Sequence, residues 1–262
     1  MTDHHTLIHY HIFKNAGTSV DLSLHRSFGG RWGTFEGPHA HAIQSSEKLS
    51  TFINKNRHLV AISSHLARPP LPHSNCLPIV FIRHPLLRAY SVYQFTRKNA
   101  DLPFSDIAQT MDFKDYIERW VLRKESGSIV IRDYQVVHLS DASWRCDNIL
   151  DANADGNDLD QACQLLSEWG VAGVVEHFEL SIKVFQAKYG PMLPNLEFFH
   201  CWENATNCDD ATIDDKVSRL RDMLGESLYD AFMDANQLDL ALYNHARTTL
   251  GRAAQQLQIN AG

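Results

Sequence analysis

The chain has 262 residues, 44% hydrophobic and 21% charged, an ordinary globular composition; no apolar run nears the roughly 18 residues of a membrane-spanning helix. The net charge of −7 is unevenly spread: residues 1–110 carry 11 Lys/Arg against 6 Asp/Glu, and residues 111–262 carry 13 against 25. With no basic helix and no interleaving of aromatic and basic residues, nucleic acid is excluded as a partner, and the acidic half reads as a solvated helical surface.

The five cysteines (Cys76, Cys146, Cys163, Cys201, Cys208) are odd in number and widely spaced, which reads as reduced thiols. The fifteen histidines, among them His9/His11 and His39/His41, lack metal-ligand spacing, so no metal is expected. The start Met1-Thr-Asp-His-His5 has neither the basic nor the apolar region of a signal peptide, and a cytoplasmic protein is expected.

In chain order, Thr6-Leu-Ile-His-Tyr-His-Ile-Phe13 is strand-like, Lys14-Asn15-Ala16-Gly17 breaks it, and Thr18-Ser19-Val20 opens a segment of helical spacing. A strand, a tight turn and a helix N-terminus leave backbone N–H groups and the helix dipole facing one spot, a seat for an anion. Lys14, Thr18 and Ser19 add a charge and two hydroxyls; the alternative is a plain structural turn. The stretch is neither a Walker A loop nor a Gly-x-Gly-x-x-Gly turn. Phe28 to Pro38 reads as a glycine-rich loop, Ser45 to Asn54 as a helix and His58 to Ser63 as a buried strand, followed by a loop carrying His65. Pro78 to Arg83 is a third strand, and Leu86 to Thr96 a helix with Pro85 in its first turn.

The middle is read as helical around Phe113, Ile117, Trp120 and Val121, with a less regular segment from Ile129 to Leu139. Asp151 to Ala162 resembles a calcium loop but has Ala162 where the bidentate Glu belongs, so it is read as a polar loop with Asp158 as a helix N-cap. Gly170 to Glu176 is a fourth strand, Phe178 to Tyr189 a helix, Leu196 to Phe199 a short fifth strand, and Ile213 to Leu257 helical with breaks near Gly225 and Asn236. This order implies an α/β fold with a central, largely parallel sheet flanked by helices and a helical C-terminal part. One domain over residues 1–262 is expected, because no repeat or low-complexity linker interrupts the chain.

Arg83 ends the third strand, and Arg88 and Ser91 share a face of the next helix. Ligands of parallel α/β sheets bind beyond the carboxyl ends of the strands, which puts Arg83 on the same edge as Lys14. The alternative for Arg83 is a carboxylate pair. Glu176, after a buried strand, is read as a core ion pair to Arg88 and Trp202 as a core or rim aromatic.

His11-Ile12-Phe13-Lys14-Asn15-Ala16-Gly17-Thr18-Ser19 resembles the His-Ile-Pro-Lys-x-Gly/Ala-Gly-Thr-Ser signature of sulfotransferases, in particular the carbohydrate (heparan and chondroitin-type) branch. Arg83-His-Pro-Leu-Leu-Arg88-Ala-Tyr-Ser91-Val-Tyr is similar to that family's second signature, Arg-x-Pro-x-x-Arg-x-x-Ser-x-Tyr. The resemblance implies a P-loop-like three-layer fold and a donor, 3′-phosphoadenosine 5′-phosphosulfate (PAPS). Its 5′-phosphosulfate would lie on Lys14, Asn15, Ala16, Gly17, Thr18 and Ser19, and its 3′-phosphate on Arg83 and Ser91. It further implies Lys14 and His65 as catalytic residues, His65 being the base, and a hydroxylated small-molecule or glycan acceptor. In chemical terms Lys14 would offset charge growing on the bridging oxygen, and an imidazole suits proton removal near neutral pH. Phe13 stands where relatives have proline, and the loop 204–210 is acidic where many are basic. The competing readings are a nucleotide-dependent kinase on a P-loop-like fold and a non-catalytic nucleotide-binding module.

Overall fold

The computed structural model describes residues 5–123, 125–199 and 211–259; Trp202 and the acidic 204–210 loop lie outside them. Strand β1 (Thr6–Tyr10) leads into helix α1 (Gly17–Phe28), β2 (Trp32–Thr34), α2 (Ser46–Lys55), β3 (Ala61–Ser64) and β4 (Cys76–Ile82). Helices α3 (Pro85–Lys98), α4 (Ser105–Thr110), α5 (Phe113–Leu122), α6 (Tyr134–Leu139) and α7 (Gly156–Trp169) follow. The chain then runs through β5 (Gly173–Val174), α8 (Phe178–Tyr189), α9 (Ile213–Leu224), α10 (Glu226–Asp234) and α11 (Gln237–Gln256). No helix among the described residues is long and apolar enough to cross a membrane.

The five strands form one parallel sheet in the order β2-β3-β1-β4-β5. Every residue of β1, β3 and β4 is buried, as strands covered on both faces must be. Leu7, Ile8, Ile62, Ile79 and Phe81 are sealed by Val20 and Leu24 of α1 and by Phe185 and Leu242 of α8 and α11 within one core. A second apolar cluster joins α3, α5, α9 and α10 through Leu86, Tyr93, Ile117, Trp120, Leu220 and Phe232.

Local chemistry explains the boundaries. Helix α3 starts at Pro85, with the His84 ring accepting from the Leu86 N–H at 3.3 Å. At α7 the expected N-cap is one turn off: Asp155 accepts from the N–H groups of Asn157 and Asp158, and Asp158 reaches back to the Asp155 N–H at 2.8 Å. The Asp158 carboxylate is also gripped by Arg145, so that loop is a capping box.

Two strand assignments change. Trp32–Thr34, expected in a loop because of its glycines, pairs with Ala61–Ser63 as the sheet edge. Leu196 to Phe199 is no strand: the Glu197 and Phe199 N–H groups donate to the hydroxyls of Ser27 and Ser23 on α1, at 2.9 and 3.0 Å. Side-chain acceptors took the bonds that a neighbouring strand would have supplied. The fourth strand shrinks to Gly173–Val174 and continues as a single tight turn over 175–177.

Candidate functional site

The connection from β1 runs toward β2 and that from β4 toward β5, so the strand order reverses between β1 and β4, where α/β sheets open a crevice at their carboxyl ends. The turn His11–Gly17 leaves β1 there, and Arg83 leaves β4 beside it. Two non-glycine residues of the turn are left-handed, Lys14 at φ 67° and Ala16 at φ 61°. Such strain persists only where surroundings enforce it, and alternation with left-handed residues turns successive N–H groups inward as an anion nest. Ala16, Gly17 and Thr18 donate to no backbone carbonyl among the described residues. Thr18 is exposed and Ser19 half-buried at the mouth.

The turn is fastened from below. The buried Asn15 amide donates to the Phe81 carbonyl and to Gln135 Oε1, both at 2.7 Å, so this side chain holds the turn against β4 and α6 instead of reaching outward. Arg83 Nη1 donates to the Lys14 carbonyl at 2.9 Å, and Gln135 bonds both the N–H and the carbonyl of Arg83. Glu176 lies 3.7 Å from Arg83 Nε, which corrects the expected partner. Arg88 instead places both terminal nitrogens on the Val130 carbonyl at 2.8 Å, under the Tyr134 ring. Burial presses the Arg83 pKa down while Glu176 opposes it, and burial raises that of Glu176.

Below Gln135 the network ends in two acids. Asp239 accepts from the N–H groups of Gln135 and Val136 at the start of α6, and its own N–H donates to Asp133 Oδ1 at 2.9 Å. Burial, then the Asp239 charge, pushes the Asp133 carboxyl up to about 7. A carboxyl raised on folding favours the folded chain only while protonated, so stability falls as pH climbs from the ordinary carboxyl range of about 4 through about 7. Asp133 is also left-handed, at φ 43°, where Asn sits comfortably. Asp133→Asn should therefore raise stability at pH 8 by on the order of 1 kcal/mol and flatten that pH dependence in thermal melts.

The Lys14 ammonium rests 4.0 Å over the Phe95 ring of α3, and Ser91 lies one turn earlier on the same face of that helix. Burial, then the charges of Arg83 and Lys98, lowers the Lys14 pKa to about 8.

Register builds the other wall. Thr34, Ser63 and His9 stand level on β2, β3 and β1, so two residues on, Glu36, His65 and His11 emerge side by side on one face. Glu36 Oε1 accepts from His65 Nδ1 at 2.9 Å and from the His65 N–H at 3.0 Å, and Nε2 has no hydrogen-bond partner among the described residues. Arg68 holds the His65 carbonyl at 3.0 Å, and Ser64 Oγ ties the following N–H groups. His65 stacks on His11 with 3.8 Å between ring centroids, and His11 Nδ1 lies 3.0 Å from Asp21 of α1. Burial lowers the His11 pKa to about 4, with His9 and His65 adding to it. Burial also opposes the Asp21 charge, but hydrogen bonds from His11 and His9 outweigh it and hold the pKa far below the carboxylate range.

Sequence spacing gave no sign of Glu36, Asp21, Gln135 or Phe95, because each is placed by strand register or helix docking. His9, His11 and Asp21 form a close set, yet the two rings are stacked within 22° of parallel and each sets Nδ1 on its own carboxylate oxygen. Both Nδ1 atoms therefore converge on the one Asp21 carboxylate, which clamps β1 to α1 by two hydrogen bonds. No family model matches the chain. A protein of Archaeoglobus fulgidus, described as an uncharacterized protein, is 28% identical over 248 residues, covering 90% of this chain and 94% of that one.

Proposed function

We propose that the chain is a sulfotransferase that takes a sulfuryl group from PAPS to a hydroxyl of a small-molecule or glycan acceptor. The observation that carries this reading is the juxtaposition, across one crevice, of a strained, lysine-bearing anion nest and a carboxylate-oriented histidine. The donor fits the residues present: inward N–H groups, a half-buried ammonium and the Arg83 guanidinium supply positive field without a metal. When bound, the donor supplies the sulfuryl group. Lys14 offsets charge gathering on the bridging oxygen, and the Ala16–Ser19 turn orients the phosphosulfate. Arg83 and Ser91 are the proposed seat of the 3′-phosphate, with Arg83 also stiffening the turn through the Lys14 carbonyl. His65 Nε2 removes the acceptor proton while Glu36 fixes the ring and stabilises the imidazolium.

Calorimetric titration with adenosine 3′,5′-bisphosphate, compared with ATP and magnesium, tests the donor: tight binding of the second alone would replace this reading with a kinase. For the chemistry, His65→Ala should slow sulfate transfer to a panel of hydroxyl acceptors about 10²–10⁴-fold with donor binding retained. Glu36→Gln, which keeps an acceptor for the ring, should lose less. Donor binding with no turnover on any acceptor would leave a binding module.

A further inference from the structure

We propose that His11 is a ligand of the anion in the turn and that this anion binds together with a proton. The proposal rests on the reading of the turn as an anion site, and not on sulfuryl transfer. Asp21 occupies Nδ1, so the reactive edge of the ring is Nε2. That edge abuts the first residue of α1: a Cβ built on Gly17 would lie 1.9 Å from His11 Nε2. The ring cannot turn away, being stacked between His9 at 5.1 Å and His65 at 3.8 Å.

The charges around it decide its state. His9 faces it from β1, Asp21 from α1, and His65 with Glu36 from the strand ends beyond. His138 of α6, beside Arg68, adds to the surroundings. In the free chain only Asp21 favours a proton on His11, while burial and the neighbouring imidazoles oppose one. The neutral ring then presents a bare lone pair to a helix N-terminus. A tetrahedral dianion seated on Ala16–Ser19 reverses this balance: the imidazolium donates from Nε2 to an anion oxygen, and Asp21 takes the charge on the Nδ1 side. The ligand class is a sulfate or phosphate ester, and one proton is taken up as it binds.

Isothermal calorimetry of the full chain with inorganic sulfate and with adenosine 3′,5′-bisphosphate, each in two buffers of different ionisation heat, tests this. Sulfate does not titrate in the working range, and the bisphosphate's own protons are common to every variant. Sulfate affinity should rise about tenfold per unit as the pH falls from about 7 toward 5, with one proton absorbed. His11→Gln, which keeps a donor amide, should abolish the linkage. In the unaltered chain the His11 Hε1 resonance should titrate at higher pH with sulfate than without, a readout that needs no variant. A static midpoint, or proton uptake that survives in His11→Gln, overturns the proposal. Bisphosphate binding without proton uptake defeats the His11 role alone, whereas proton-linked sulfate binding without bisphosphate binding defeats the PAPS reading alone. Binding of neither anion defeats both.

Discussion

If the proposed sulfuryl transfer is the reaction, Lys14→Ala is expected to lower its rate about 10²–10³-fold, the loss typical of removing one donor aimed at developing negative charge. The fold should survive. The ammonium is half-buried against Phe95, with Arg83 and Lys98 adding repulsion, so deleting the charge removes an unfavourable term along with the cation–π contact. Melting temperature and transfer rate, measured on the same preparation, separate the two effects; a variant that unfolds would make Lys14 a structural residue. The depressed pKa adds a pH signature. A lysine whose pKa falls on folding costs stability while charged, so that cost disappears as pH rises from about 8 to the ordinary lysine value. Donor affinity runs the other way and should weaken above about pH 8, where the free chain loses the Lys14 proton. Lys14→Arg should remove that limb without restoring full rate, because a planar fork does not replace a compact ammonium.

Gly17→Ala should destabilise the chain by about 1–3 kcal/mol and abolish anion binding. The backbone here is not left-handed, so the cause is contact alone: the new methyl would lie 1.9, 2.0 and 2.4 Å from three atoms of the His11 ring. Alanine's higher helix propensity returns less than about 1 kcal/mol, so the clash prevails. Relief requires His11 to move, and Asp21, His9 and His65 all restrain it. The double variant Gly17→Ala/His11→Ala should therefore be more stable than the sum of the single losses allows. Strict additivity in denaturant melts would show that the ring does not confine the turn.

The strand–turn–helix at Thr6–Phe28 and the strand–proline–helix at Cys76–Lys98 were legible because each is written in contiguous residues: an apolar run, a breaker, then helical spacing. The breaks at Gly225 and Asn236 likewise separate α9, α10 and α11. Edge strand β2 was illegible, since three residues centred on glycine acquire strand character only from Ala61–Ser63 beside them. Leu196–Phe199 misled for the converse reason, its apolar pattern suiting a strand while Ser23 and Ser27 captured its N–H groups.

By itself, then, the sequence determined a parallel α/β frame and a lysine-bearing turn at the head of its first helix, because periodicity and breakers act over a few neighbouring residues. The alignment of Glu36, His65 and His11, the Asp21 clamp and the Asn15–Gln135–Arg83 brace were decided only by the tertiary structure. Those contacts join residues far apart in the chain, and strand register and helix docking, which minimise exposed apolar surface over the whole molecule, set which side chains meet.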